Sequence, residues 1–346
     1  MADHNTHHIV GAPVQQRRIP KEELALRVGP LLYTPAHNTG VAEKICRDEI
    51  PGLCSIALDL EDSVSATGVA RAEEALLAIL GRFAEEAVLR GSDGFLPLVF
   101  VRVRSPEHLR ALWPRLAPFR GVLSGFVFPK FDHLNADKYM ESMATINGGH
   151  EPPLYAMPIL ESASIAHKEQ RLPVLSALDR LLEPARDMIL NIRVGGNDLC
   201  NFYAVRRGIG QTIYDVGPVR DALVDVVSLF AWKYIVSAPV WEYYGNSEDA
   251  AWKRGLEREL ELDRLNGFTG KTAIHLSQLP VIRNSLRVAT ADYEDARRIL
   301  GWQNPDVQVG GSFTGGRMNE VSVHRRWAEK TLALGGIYGL QDEPNL

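Results

Sequence analysis

Eight short apolar or β-branched runs punctuate the sequence, at about residues 31–35, 54–60, 97–103, 125–129, 154–160, 189–194, 235–241 and 272–275. Each has the length of a buried strand and is too short for a core helix. Segments with helical periodicity separate most of them, at 41–49, 70–90, 106–117, 136–146, 163–182, 216–232 and 248–266. Strands alternating with helices in units of about thirty residues or more imply a parallel sheet, and eight such units suffice to close it into a (β/α)8 barrel. A chain of 346 residues, 45% of them hydrophobic, can fill a core of that size. An open doubly wound sheet is the competing arrangement, but its phosphate-binding fingerprint is missing. Gly195 and Gly196 follow a strand without continuing as G-x-G-x-x-G.

The barrel is expected over 26–300, behind an N-terminal tail (1–25) whose first twenty residues are polar. Beyond the eighth run, 277–289 and 292–300 read as helices. A glycine-rich stretch at 301–320 is too polar for core and reads as a connector or a loop covering a site, before a last helix at 322–335. Together 301–346 form a C-terminal extension. The net charge of −5 provides no basic field for a polyanion, so nucleic acid is an unexpected partner. No apolar run is long enough for a signal or a membrane span, which makes the cytoplasm the default compartment. Cys46, Cys54 and Cys200 show no CxxC spacing and suggest neither a disulfide framework nor a thiolate metal site.

In a parallel barrel one face, at the carboxyl ends of the strands, builds the active site. The runs end in chemically similar ways: His37 and Asn38 after the first, Asp59, Glu61 and Asp62 in LDLEDSV, and Arg102 and Arg104 in VFVRVR. Then come Lys130, Glu161 in PILESA, Asn197 and Asp198 in VGGNDL, Glu242, and Lys271 with His275 in GKTAIHLSQ. Charges inside apolar strands need partners or a metal. Glu161 and Asp198, at neighbouring strand ends, can ligate a hard cation whose other positions hold water and substrate oxygens, as magnesium prefers. The LDLED carboxylates can orient the waters of such an ion, and Arg102 can grip a carboxylate or an enolate oxygen. Taken singly, each motif also reads as a helix cap or an ordinary salt bridge. Their joint occurrence in chain order favours a site.

These motifs resemble the HpcH/HpaI aldolase and citrate lyase β-subunit superfamily of magnesium-dependent barrels. The resemblance runs from LLYTPAHN through LDLEDSV, VFVRVR, GFVFPK, PILESA, VGGNDL and GKTAIHLSQ to GRMNEVSVHRRW, nearly the whole chain. The pattern also looks like a divergent subgroup, carbon–carbon bond lyases of the barrel fold. It implies that Glu161 and Asp198 hold Mg2+, that Arg102 binds substrate oxygens, and that Asp59, Glu61 and Asp62 support the metal. It further implies a homo-oligomer, often a trimer, whose C-terminal segment reaches a neighbouring subunit's site. The chain departs from relatives acting on coenzyme A thioesters. Gly29 stands where they carry an arginine, Asn197 replaces a glutamate, Leu276 a proline, and Glu320 an aspartate.

The expected chemistry is lyase or aldolase cleavage next to a carbonyl, through an enolate, of a small oxoacid or an acyl-CoA-type substrate. Arg102, Asp59, Glu61, Asp62 and Lys130 are the catalytic candidates. His37, Gly196, Asn197, His275 and Glu320, with Arg102, are the candidate substrate contacts. The base stays open among Lys130, His37 and a metal-bound hydroxide. A phosphoenolpyruvate-type or nucleotide-linked transferase and a catalytically silent binding barrel are the alternatives.

Overall fold

The computed structural model describes residues 19–91, 96–245 and 250–341. The chain divides into two compact units, Met1–Ile282 and Arg283–Leu346. The end of the barrel expected at 300 therefore moves back, and the helix at Thr290–Leu300 belongs to the second unit.

The first unit is a closed parallel barrel. Its strands are β1 (Pro30–Pro35), β2 (Ser55–Asp59), β3 (Leu98–Arg102), β4 (Gly125–Phe128), β5 (Tyr155–Leu160), β6 (Ile192–Val194), β7 (Val236–Ser237) and β8 (Lys271–Ala273). They pair in the order β7-β6-β5-β4-β3-β2-β1-β8, every pair parallel. A parallel bridge between Ala238 and Lys271 joins the two ends. All eight expected runs contribute a strand: β1 to β5 are largely apolar on both faces, as strands between a packed barrel interior and a helical ring are, whereas β6, β7 and β8 carry Arg193, Ser237 and Lys271.

Outward residues such as Ile56, Val101 and Phe126 pack under the helices. The helix Val69–Arg90 shows why the ring forms. It buries Ala72, Leu76, Ile79, Leu80 and Phe83, a single stripe at helical spacing. Inward residues form a separate cluster in which Leu31, Phe100, Val127, Met157 and Leu190 meet Leu24, Ala25 and Val28. The last three belong to or follow a short helix, Lys21–Arg27. The expected tail therefore ends in a helical plug beneath the amino ends of the strands. Its apolar triplet is too short to give a periodicity signal, and only the open barrel mouth gives it something to bury.

Lys271 faces away from the barrel's interior. Its ammonium lies 2.8 Å from both Glu259 and Asp263 on the helix Ala251–Leu265, and Arg207 completes the buried group at 2.5 Å from Glu259. This strand-end charge serves as an ionic tie between β8 and its helix.

In the second unit, Ala296 and Ile299 of Thr290–Leu300 pack on Ala328 of the helix Val321–Tyr338. The glycine-rich stretch is more ordered than a connector. Val309–Gly311 and Met318–Glu320 pair as an antiparallel hairpin. Asp295 pins its loop, accepting from Phe313 N at 2.5 Å and pairing with Arg317 at 2.7 Å. No helix among the described residues is long and apolar enough to cross a membrane.

Candidate active site

A cavity of about 430 Å³ opens at the carboxyl ends of the barrel strands, where the fold gathers its loops. Two charged groups meet in it.

The first centres on Arg102. Its Nε and Nη2 hold Asp59 in a fork, at 2.6 and 3.0 Å. Asp59 also accepts the backbone N–H groups of Glu61 (2.9 Å) and Ser63 (3.2 Å), so LDLEDSV wraps around its own aspartate. Nη2 of Arg102 reaches Glu61 at 3.1 Å and Asp62 at 3.3 Å, and the Lys130 ammonium bonds Glu61 and lies 3.1 Å from Asp62. Two cations thus face three carboxylates. Burial and the hydrogen bond with Asp62 raise the Glu61 carboxyl above its ordinary value despite Arg102 and Lys130. Burial acts the same way on Asp62, but the Glu61 hydrogen bond and the two cations outweigh it, and Asp62 titrates low. Burial opposes the charge on Lys130, yet its carboxylate partners prevail and hold the ammonium firmly protonated. Arg102 stacks 5.1 Å from the centre of the Tyr33 ring, and its Nη1 makes no hydrogen bond among the described residues.

The second group is Glu161 with Asp198. Glu161 follows β5 and is 3% exposed; Asp198 lies in the first turn of the helix Gly196–Phe202, which follows β6. The chain makes room for them at Gly195, where a Cβ would overlap the Glu161 carboxylate, and at Gly196, where a Cβ would come within 2.7 Å of Pro239. Lys130 adopts a left-handed backbone, φ 48°, and turns its N–H onto Glu161 Oε1 at 2.9 Å. The two carboxyls lie close enough to perturb each other's ionisation. Burial and then the adjacent Asp198 push Glu161 up to about 8, and burial together with Asp62 raises Asp198. Such a pair lacks positive charge between its members. No third histidine, cysteine or carboxylate joins them as a metal-holding group among the described residues. Two carboxylates fit magnesium, which keeps several waters and takes one or two protein carboxylates.

The family described as C–C bond lyases of the TIM-barrel fold matches residues 22–340. This chain belongs to that family. None of the curated proteins searched matches it. Among solved structures, a citrate lyase from Burkholderia xenovorans is similar at 15% identity and TM-score 0.67, over 91% of this chain and 93% of the other. The CitE protein of Mycobacterium tuberculosis, in complex with magnesium, acetoacetate and coenzyme A, is similar at 20% identity and TM-score 0.58, over 90% and 99%. At these identities the likeness shows the shared barrel.

For this bond-lyase family member, the cavity brings together Asp59, Asp62, Arg102, Glu161, Gly196, Asn197 and Asp198 from the expected set. Glu61 and Lys130 stand beside it through their ion pairs. His37 is exposed in the loop after β1 and is not part of the cavity wall. His275 is also outside that wall. Its ring stacks on Tyr244 at 4.4 Å and Nδ1 lies 2.8 Å from Ser277 Oγ, so it shapes the loop after β8. Glu320 lies in the second unit, where its N–H donates to His324 Nδ1. Sequence reasoning missed Tyr33, Thr272 and Arg193, all in the wall. It also missed Asp132, which accepts hydrogen bonds from Ser162 and Ser164 and so sets the turn that follows Glu161.

Proposed function

We propose that this protein is a magnesium-dependent lyase that breaks, or in reverse forms, the carbon–carbon bond next to the carbonyl of a small oxoacid or acyl-CoA-type substrate through an enolate. The observation that carries this reading is the paired Glu161 and Asp198 in one cavity with Arg102. Magnesium held by these two carboxylates would supply Lewis-acid polarisation of the substrate carbonyl.

The remaining steps belong to the chain's own groups. Arg102, oriented by its fork on Asp59, offers Nη1 to the oxygen on which negative charge develops. In a site shielded from water such a donor contributes about 3–4 kcal/mol. Glu61 and Asp62 balance Arg102 and Lys130 so that the wall of the site is not left strongly cationic. Lys130 remains an ammonium throughout, because its ion pairs disfavour the free amine, and it acts by charge rather than as a base. Asn197 and Gly196 border the same space and position substrate oxygens. The second unit exposes Phe313, Met318 and Val323, which supports assembly into a homo-oligomer.

Turnover of oxaloacetate, malyl and citramalyl thioesters and 4-hydroxy-2-oxoacids, with and without EDTA, tests the reading. Cleavage abolished by EDTA and restored by magnesium is expected; equal rates in both conditions would refute metal dependence.

A further inference from the structure

Arg193 is the least exposed charged residue of the cavity wall. It sits on β6 beside Ile159, two residues before Glu161 on the neighbouring strand, and is 1% exposed. Two residues along a strand rise about 6–7 Å, so Arg193 lies one layer beneath the Glu161 and Asp198 pair. Its side-chain acceptors are neutral: Nη2 donates to Thr272 Oγ1 at 2.7 Å and Nη1 approaches Asn191 Oδ1 at 3.5 Å. The Tyr33 hydroxyl also reaches it. Burial makes the Tyr33 proton harder to remove, so the phenol stays neutral and provides no counter-charge. Nε is buried with no hydrogen-bond partner at all. No carboxylate among the described residues pairs with this guanidinium. The nearby Asp59 is held in the Arg102 fork, and Glu161 accepts from Lys130 N beside Asp198.

A buried guanidinium without an anion is costly, and proteins tolerate one where a partner arrives from outside. We infer that Arg193, with Tyr33 and Thr272, is a second anion subsite and that the substrate carries a further carboxylate, a few carbons from its reacting end, which docks there. The planar fork of arginine suits a carboxylate. Selectivity follows from the same geometry: a carboxylate gives Nε a partner, whereas an apolar end leaves it as unpaired as before and gains nothing from it. This inference rests on the proposed oxoacid chemistry at Glu161 and Asp198, and it narrows the substrates to dicarboxylates or to thioesters with a free carboxylate.

Malate and 2-hydroxybutyrate share a hydroxyacid head and differ at the far end, carboxylate against methyl. Both are titrated calorimetrically into the full chain, with magnesium and with EDTA. We expect malate to bind at least about 10-fold more tightly. Arg193→Gln should erase that preference while leaving 2-hydroxybutyrate unchanged, and Arg193→Lys should reduce it, which covers the case in which the glutamine variant does not fold. Equal binding of the two ligands by the unmodified chain, or equal loss of both in a folded variant, would overturn the subsite. Failure of the metal reading is separate: EDTA would then alter the binding of neither ligand.

Discussion

Glu161→Gln offers a test in which the expected change can be worked out from burial and charge. Folding raises this carboxyl from its ordinary 4.5 to about 8, through burial and the neighbouring Asp198. Between those values the folded chain holds a proton that the unfolded chain has released, so without metal this group's contribution to stability falls as pH rises. It is fully present below about 4.5 and lost above about 8. At roughly 1.4 kcal/mol per tenfold change in proton affinity, the ceiling is on the order of 5 kcal/mol. For a chain this long, 1 kcal/mol corresponds to about 1–2 °C, which places the ceiling near ~7 °C in Tm. Glutamine keeps an acceptor for Lys130 N but has no charge to lose. Calorimetric melting in EDTA from pH 5 to 9 should show the unmodified protein declining relative to the variant by several degrees. Magnesium should lift the unmodified protein alone at the alkaline end. Parallel melting curves across the whole range would refute the claim that Glu161 is a desolvated carboxylate waiting for a cation.

Arg102→Met removes the fork from Asp59 and leaves a buried carboxylate unpaired; a loss of about 3–5 kcal/mol in chemical denaturation is expected, together with loss of turnover. Gly195→Ala places a methyl group where the Glu161 carboxylate lies. Overpacking of this kind costs about 1–3 kcal/mol, and magnesium affinity should fall even though no ligand has been replaced, as metal-dependent thermal shift would show.

The barrel was legible because strand length, apolarity and spacing are local properties, and each run from Leu31 to Ala273 fell where a strand is found. The strand-end acids were legible for the same reason: Glu161 and Asp198 stand directly after runs they would otherwise spoil. Their contacts were less accessible. That Arg102 would spend two nitrogens on Asp59 depends on strand register, and that Lys130 would contribute a backbone N–H depends on a left-handed turn at a residue that seldom adopts one. Arg193 escaped notice because it lies within the run at 189–194 rather than at its end, and only the closed barrel shows it in the cavity wall. Lys271 misled in the opposite direction, since only the outward face of β8 reveals its partners on the following helix. The helix at Lys21–Arg27 and the hairpin at Val309–Glu320 left no periodic signal, the first because it is short and the second because glycine dominates it.

The most direct measurement is calorimetric titration of magnesium into the unmodified chain and into Glu161→Gln and Asp198→Asn variants at one pH. One ion should bind per chain, with affinity falling at least about 10-fold in each variant while circular dichroism stays unchanged. Magnesium binding equally well to all three, or to none, would contradict the assignment of these two carboxylates as the metal site.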